Sequence, residues 1–341
     1  MSKRASDSAR TRGWRRLVGV VAAVTTVTVV AGCAAGSTPG LPSVPTPKAS
    51  TAAPAASVAP LAGCSDTNST RLASYAPTGA LPAPTALPPG STMAKIRARG
   101  RLIVGVSADN LLFGFRNPIK GDLEGFDIDM VNAVAAAIFG TASGHVEYRV
   151  LTFAQRIPAL TSGQVDLVAD IMTINCARWA QVAFSAEYFK AGQQVLVRQD
   201  SKATGIDDLD GKKVCSAIGS TGSQTLTQYP KVKAVLVNDI SDCLVLFQQG
   251  SVDGIISDNT VVDGFRTQDP YAMVIGKEIT DEPYGLAMPK QNIDFVQFVN
   301  ALLIQMRATG AWTAIYKKWI PADVASAPGD STQPTPVYGR A

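Results

Sequence analysis

The chain holds a single histidine, His145, among 341 residues, and no Cys-x-x-Cys pair. A metal centre built on His and Cys is therefore not expected, and no cofactor is. No Ser–His–Asp set is apparent either. His145 sits in the alternating run 144–148 and reads as a surface strand residue. The Gly-rich turn 219–223 lacks the Gly-Lys-Ser/Thr ending of a nucleoside-triphosphate loop. No apolar run beyond the N-terminal region reaches the length of a membrane span. There is no internal repeat. The positive charge of the whole chain, +4, is also misleading. Residues 1–32 carry six basic groups and one acid, leaving 25 of the 31 Lys and Arg against 26 of the 27 Asp and Glu. Nothing basic then remains to recruit nucleic acid.

Those first residues form a targeting segment. Lys3, Arg4, Arg10, Arg12, Arg15 and Arg16 precede an apolar stretch, 17–31, too short to span a bilayer and right for a signal peptide. It ends Val30-Ala31-Gly32-Cys33, a sequence that resembles a bacterial lipobox, with Cys33 as the acylated first residue of the mature chain. A Pro/Ala/Ser/Thr-rich stretch follows and cannot bury a core. We therefore expect a signal peptide (1–32), then a lipid-anchored tether and N-terminal extension (33–90). The folded part would sit at the extracytoplasmic face of the membrane, held by acyl chains.

Four cysteines remain after Cys33: Cys64, Cys176, Cys215 and Cys243. An even number in an exported protein points to two disulfides, with three possible connectivities. Cys215 and Cys243 share one region, so the expected pairs are Cys215–Cys243 and Cys64–Cys176.

The most informative stretch is 164–185. A short apolar run, Leu167-Val168-Ala169, is broken by Asp170 and resumes at Ile171-Met172, as a buried strand would. A polar elbow with Thr173 and Asn175 leads to Arg178. Backbone N–H groups, a hydroxyl and one guanidinium leaving a strand end suit anion capture, because Arg grips a carboxylate with two parallel hydrogen bonds. Farther along, 219–223 reads as a turn into a helix that offers Thr221 and Gly222 to an anion, and 252–258 as a strand ending in Asp258. The acids Asp127 and Asp129 open a helix over 127–139 and suit its positive end.

Several of these segments together resemble family 3 of the extracellular solute-binding proteins. The resemblance rests on Asp166…Thr173, Asn175, Arg178; on Gly125-Phe126-Asp127-Ile128-Asp129; on Asp208-Leu209-Asp210-Gly211-Lys212-Lys213-Val214; and on Gly250-Ser251-Val252-Asp253…Asp258. It covers about 91–321. The departures are Asn175 for a second Thr, Cys176 for Pro or Asp, Asp170-Ile171 for small residues, and Asn110 for an aromatic.

The resemblance implies an α/β, two-lobed periplasmic-binding-protein-like fold of type II with two crossing hinge strands. Lobe one would comprise 91–193 plus 276–321, and lobe two 194–275, followed by a disordered tail, 322–341. Arg178, Thr173 and the Ile171 N–H would hold an α-carboxylate from lobe one. Thr221 and Gly222 would add to it from lobe two, and Asp258 would take the α-ammonium. Ser107, Asp109 and Phe113 would line the mouth. The implied role is capture of a polar or acidic L-amino acid (glutamine, glutamate, asparagine, aspartate) by hinge closure and delivery to an ABC permease, by a monomer without enzymatic activity. Two alternatives stand beside it. One is an amino-acid sensor signalling through a membrane partner. The other is a prephenate or arogenate dehydratase on the same fold.

Overall fold

The computed structural model describes residues 59–320 and 332–341. The leader, Cys33 and the tether as far as residue 58 lie outside the described residues. Two α/β lobes share the chain. The first is built on a five-stranded sheet in the order Val146–Val150, Leu102–Val106, Leu167–Val168, Ala287–Pro289, Val182–Phe184. The first three run parallel, and Ala287–Pro289 runs against them. A parallel strand covered on both faces is apolar throughout, which is how Leu102-Ile103-Val104-Gly105-Val106 reads. The apolar helices Phe126–Phe139 and Ile293–Thr309 belong to the same core.

The second lobe has the sheet order Lys233–Val237, Lys213–Ala217, Gly254–Asp258, Phe189–Arg198, Ala272–Ile275. Its long strand, Phe189–Arg198, is the outward crossing. Residues 193–197 pair with Gly254–Asp258, while 189–192 pair with the return crossing, Asp281–Tyr284. Where the crossings meet lobe one, an aromatic group fixes them. Phe113 lies edge-on to Phe189 at 4.9 Å and to Tyr284 at 5.9 Å. Trp312 Nε1 donates to Tyr188 O at 2.8 Å.

The two disulfides are Cys64–Cys176 and Cys215–Cys243. The first ties an N-terminal strap, residues 59–75, to lobe one; the second lies wholly within lobe two. Further bonds hold the strap. Leu61 N donates to Cys176 O at 3.0 Å, and Asn300 Nδ2 donates to Ser74 Oγ at 2.9 Å and to Tyr75 O at 2.7 Å.

Composition predicts a disordered tail over 322–341, and residues 332–341 depart from that. Tyr338–Arg340 forms a strand parallel to Ser74–Tyr75. The Arg340 guanidinium lies 3.7 Å from the centre of the Trp179 ring and donates to Ala73 O at 2.6 Å. A cation on an indole face and a strand pairing give this segment an ordering energy that its Pro and Thr content does not reveal. No helix among the described residues is long and apolar enough to cross a membrane.

Candidate functional site

Neighbouring parallel strands open their loops at the same, C-terminal, edge of a sheet, where α/β folds bind ligands. In lobe one, Leu102–Val106 leads to Ser107, Asp109 and Asn110, and Leu167–Val168 leads to Asp170, Ile171 and Thr173. In lobe two, Lys213–Ala217 leads to Gly219 and Thr221, while Gly254–Asp258 ends at Asp258 itself. The two edges meet. Arg178 Nη2 and Arg156 Nη2, both from lobe one, each donate to the Gly219 carbonyl of lobe two at 3.3 Å. The Ser241 N–H of lobe two donates to Asp109 Oδ2 at 3.2 Å. Gly219 has φ +80, and a Cβ there would stand 2.7 Å from Ala154 Cα, so only glycine permits this approach.

Arg178 lies where the two edges meet. It sits in the short helix Cys176–Trp179, whose N-cap, Asn175, accepts from the Arg178 N–H at 2.9 Å. That explains the departure at this position: Asn caps a helix as well as Thr does. Its Nη1 donates to Thr173 O at 2.7 Å. The guanidinium is buried and forms no ion pair within 4.0 Å among the described residues. Burial and the neighbouring Arg156 pull its pKa down to about 9. A second buried guanidinium, Arg156, was not anticipated from the sequence. It lies within the apolar helix Arg156–Thr161, where an Arg is the anomalous residue, and donates to Phe153 O, Asp170 O and Gly219 O.

Asp258 faces these cations from lobe two. It occupies the N-cap position of the helix Asn259–Gln268 but makes no capping bond; instead it accepts from Tyr284 Oη at 2.7 Å. Burial, then the nearby Glu282, push it up to about 7.

The structure places the remaining expected ligand groups differently. The Thr173 and Thr221 hydroxyls, one from each lobe, both donate to Glu282 Oε2, at 2.6 and 2.8 Å. Gln193 Nε2 and Thr280 Oγ1 donate to its other oxygen at 3.0 and 2.7 Å. Glu282, on the return crossing, is thus a carboxylate of the protein held by four donors. The Ile171 N–H, expected for a ligand, donates to Asp127 Oδ2 at 2.8 Å. Asp127 also accepts from Tyr188 Oη at 2.5 Å, so it does more than meet a helix dipole. Phe113, expected at the mouth, is fully buried with its ring against other aromatic rings, which leaves no face for a ligand. Ser107 Oγ donates to Asp109 Oδ1 at 2.7 Å and stays with the cleft acids. Gly222 is needed for packing: a Cβ there would meet Ser216 Oγ at 2.8 Å. A cavity of about 440 Å³ is lined by residues of the strap, both lobes and the return crossing, among them Asp66, Arg71, Thr173, Thr221, Asp281 and Glu282. Its strap and hinge charges are already matched, Arg71 with Asp281 and Asp66 with the Cys176 N–H.

With a guanidinium and a carboxylate facing each other between two lobes, the arrangement suits a zwitterion. The sequence model of the bacterial extracellular solute-binding proteins, family 3, matches residues 102–322. The chain belongs to that family. The glutamine-binding protein GlnH of an ABC transporter in Bacillus subtilis (strain 168) is 35% identical over 236 residues, 69% of this chain and 86% of that protein. The glutamate-binding protein GluB of Corynebacterium glutamicum is 32% identical, over 62% of this chain and 76% of that one. Among solved structures, an ancestral arginine-binding protein bound to glutamine is 36% identical with a TM-score of 0.62, covering 65% of this chain and 98% of that one. An ancestral arginine-binding protein bound to arginine is 35% identical with a TM-score of 0.61, covering 65% of this chain and 99% of that one.

This family member carries a pH signature. Burial raises Asp127 to about 6, Glu187 to about 7 and Asp258 to about 7. In the unfolded chain such groups titrate near 4. Between these values the folded state binds more protons than the unfolded one, so stability falls as pH rises. The contribution is complete below about pH 4 and is lost as pH passes through 6 to 7. Glu187→Gln removes one such group. Calorimetric melting is expected to show the variant more stable than the parent at pH 8, by on the order of 1–3 kcal/mol, and level with it near pH 4. An equal difference at both pH values would contradict this.

Proposed function

We propose that the cleft captures one polar or acidic L-amino acid, of the glutamine, glutamate, asparagine and aspartate class, and that the protein delivers it to an ABC importer. The observation that carries this reading is Arg178. Its guanidinium is buried and held in place by Thr173 O and Gly219 O, with no carboxylate among the described residues at ion-pair distance. A ligand α-carboxylate supplies the bidentate partner that the buried cation lacks. Asp258, across the cleft, takes the α-ammonium. Both lobes then bond one small molecule, which is the condition for a ligand to favour the closed arrangement. Binding of micromolar strength, about −8 kcal/mol, is within reach of such charge-assisted bonds.

The dehydratase reading loses ground on geometry. His145 precedes the strand Val146–Val150 and bonds to Gly100 O at 2.8 Å. It therefore stands at the opposite strand end from the cleft, roughly 15 Å away at the usual rise per residue. The protein works outside the cytoplasm, as its family does. We infer that acyl chains on Cys33 hold it there, and acyl labelling lost in Cys33→Ala is the check. The test of the function is calorimetry of the purified protein against the twenty amino acids. Saturable binding of one or a few polar amino acids is expected; no binding of any would overturn the reading.

A further inference from the structure

Asp170 and Asn110 stand out among the buried polar side chains. Each is 1% exposed. Among the described residues neither Asp170 oxygen has a hydrogen-bond partner, and neither do Asn110 Oδ1 and Nδ2. Buried polar groups in folded proteins are almost always paired, because an unpaired one has lost its water and gained nothing.

The fold brings these two residues to the same place. They follow adjacent parallel strands, with Val104 opposite Leu167 and Gly105 opposite Val168, and leave by the same sheet edge. Burial raises the Asp170 carboxyl well above the usual carboxylate range, and Arg156, Asp127, Asp109 and Arg178, the charges of the cleft, act on it as well. The backbone around Asp170 is fixed from both sides. Arg156 Nη1 donates to its carbonyl at 2.8 Å, and the next residue's N–H is held by Asp127 at 2.8 Å. That next residue, Ile171, has φ 40, a strained value for a β-branched side chain. Strain of this kind persists where the surrounding structure enforces it, and it gathers at functional sites. Asp170 is thus a carboxylate on a rigid, strained turn with nothing to bond.

The local charge gives the sign of the missing partner. Asp109, Asp127, Asp170, Asp258 and Glu282 outnumber Arg156 and Arg178, and Arg156 is directed at four backbone carbonyls.

We propose that Asp170 and Asn110 form the subsite for the ligand side chain, and that it takes a side chain ending in N–H donors, an amide or a guanidinium, and rejects the carboxylates of aspartate and glutamate. The proposal rests on the reading that the cleft holds an L-amino acid. A donor end meets both Asp170 oxygens and Asn110 Oδ1; a carboxylate end brings these acceptors no donor and leaves them unpaired. Discrimination of this kind is strong because the wrong ligand leaves buried polar atoms unpaired.

The experiment is calorimetry of the purified protein with glutamine, asparagine, arginine, glutamate and aspartate, repeated with Asp170→Asn and with Asn110→Ala. The parent is expected to bind glutamine, asparagine or arginine at least tenfold more tightly than the acids. The amide and guanidinium arms tell which donor is preferred. Asp170→Asn should narrow that ratio at least tenfold, and Asn110→Ala should narrow it to a lesser degree. Should Asp170→Asn fail to fold, the parent's ratio and Asn110→Ala decide. The proposal is overturned if the parent binds glutamate or aspartate as tightly as their amides, or if the ratio stays within twofold in the variants. Binding of none of the five by a protein with a normal melting curve removes the underlying reading itself, a result distinct from binding with the wrong preference.

Discussion

Arg178→Met is expected to weaken amino-acid binding roughly 100- to 1,000-fold, the usual cost of removing one partner from a buried charge pair. Methionine keeps the packing of the arginine stem, so the loss isolates the guanidinium. The same variant should melt, without ligand, no lower than the parent. The reasoning comes from the pKa: a guanidinium drawn down to about 9 by burial is a cation that the folded state holds at a cost. Its bonds to Thr173 O and Gly219 O offset only part of that cost. Residues kept for binding often sit at the expense of stability. Calorimetric titration and melting of one preparation check both halves. Retained affinity would remove Arg178 from the carboxylate site. Lost affinity together with a collapsed melting temperature would mean that its role is structural.

The second large effect belongs to the strap. Replacing Cys64 and Cys176 together by Ser is expected to lower stability by about 3–5 kcal/mol, since the bridge spans 112 residues and loop-closure entropy grows with length. Denaturant unfolding measures it. Amino-acid affinity should fall as well, because Cys176 begins the helix that carries Arg178. The Trp179 indole donates to Arg71 O in the strap at 2.7 Å, so that helix is held from the strap at two points. A variant with normal stability, or with lowered stability and full affinity at a temperature where it is folded, would separate the strap from the site.

Some parts of the candidate site carry local signals. Arg178 follows a strand end, Asp258 closes an apolar strand, and the cysteines are few enough to pair; Thr173, read in the same way, bonds Glu282 instead. Glu282 was not legible. Asp281-Glu282-Pro283 looks like the exposed, charged start of a strand, and its burial is made by Thr173 and Thr221, more than 40 residues apart in sequence and on different lobes. Arg156 was hidden by the helix around it. The fate of the C-terminal segment was hidden for the same reason. Composition describes a segment alone, while Tyr338–Arg340 is ordered by Ser74–Tyr75 and Trp179. Phe113 shows the converse: the resemblance placed it among the residues lining the mouth, and the aromatic group at the base of the crossings uses the ring as packing.

The antiparallel pairing of the crossings, Gly192 opposite Asp281, has a mechanical meaning. Lobe two enters and leaves through two hydrogen-bonded neighbours, so it hangs from a two-stranded ribbon. Such a ribbon bends and twists readily. It does not slide, because a shift by one residue would turn every side chain to the wrong face. A swing of lobe two about this ribbon would be a rotation, not a translation. It would carry Asp258 and Thr221 along an arc and return them to the same facing residues of lobe one.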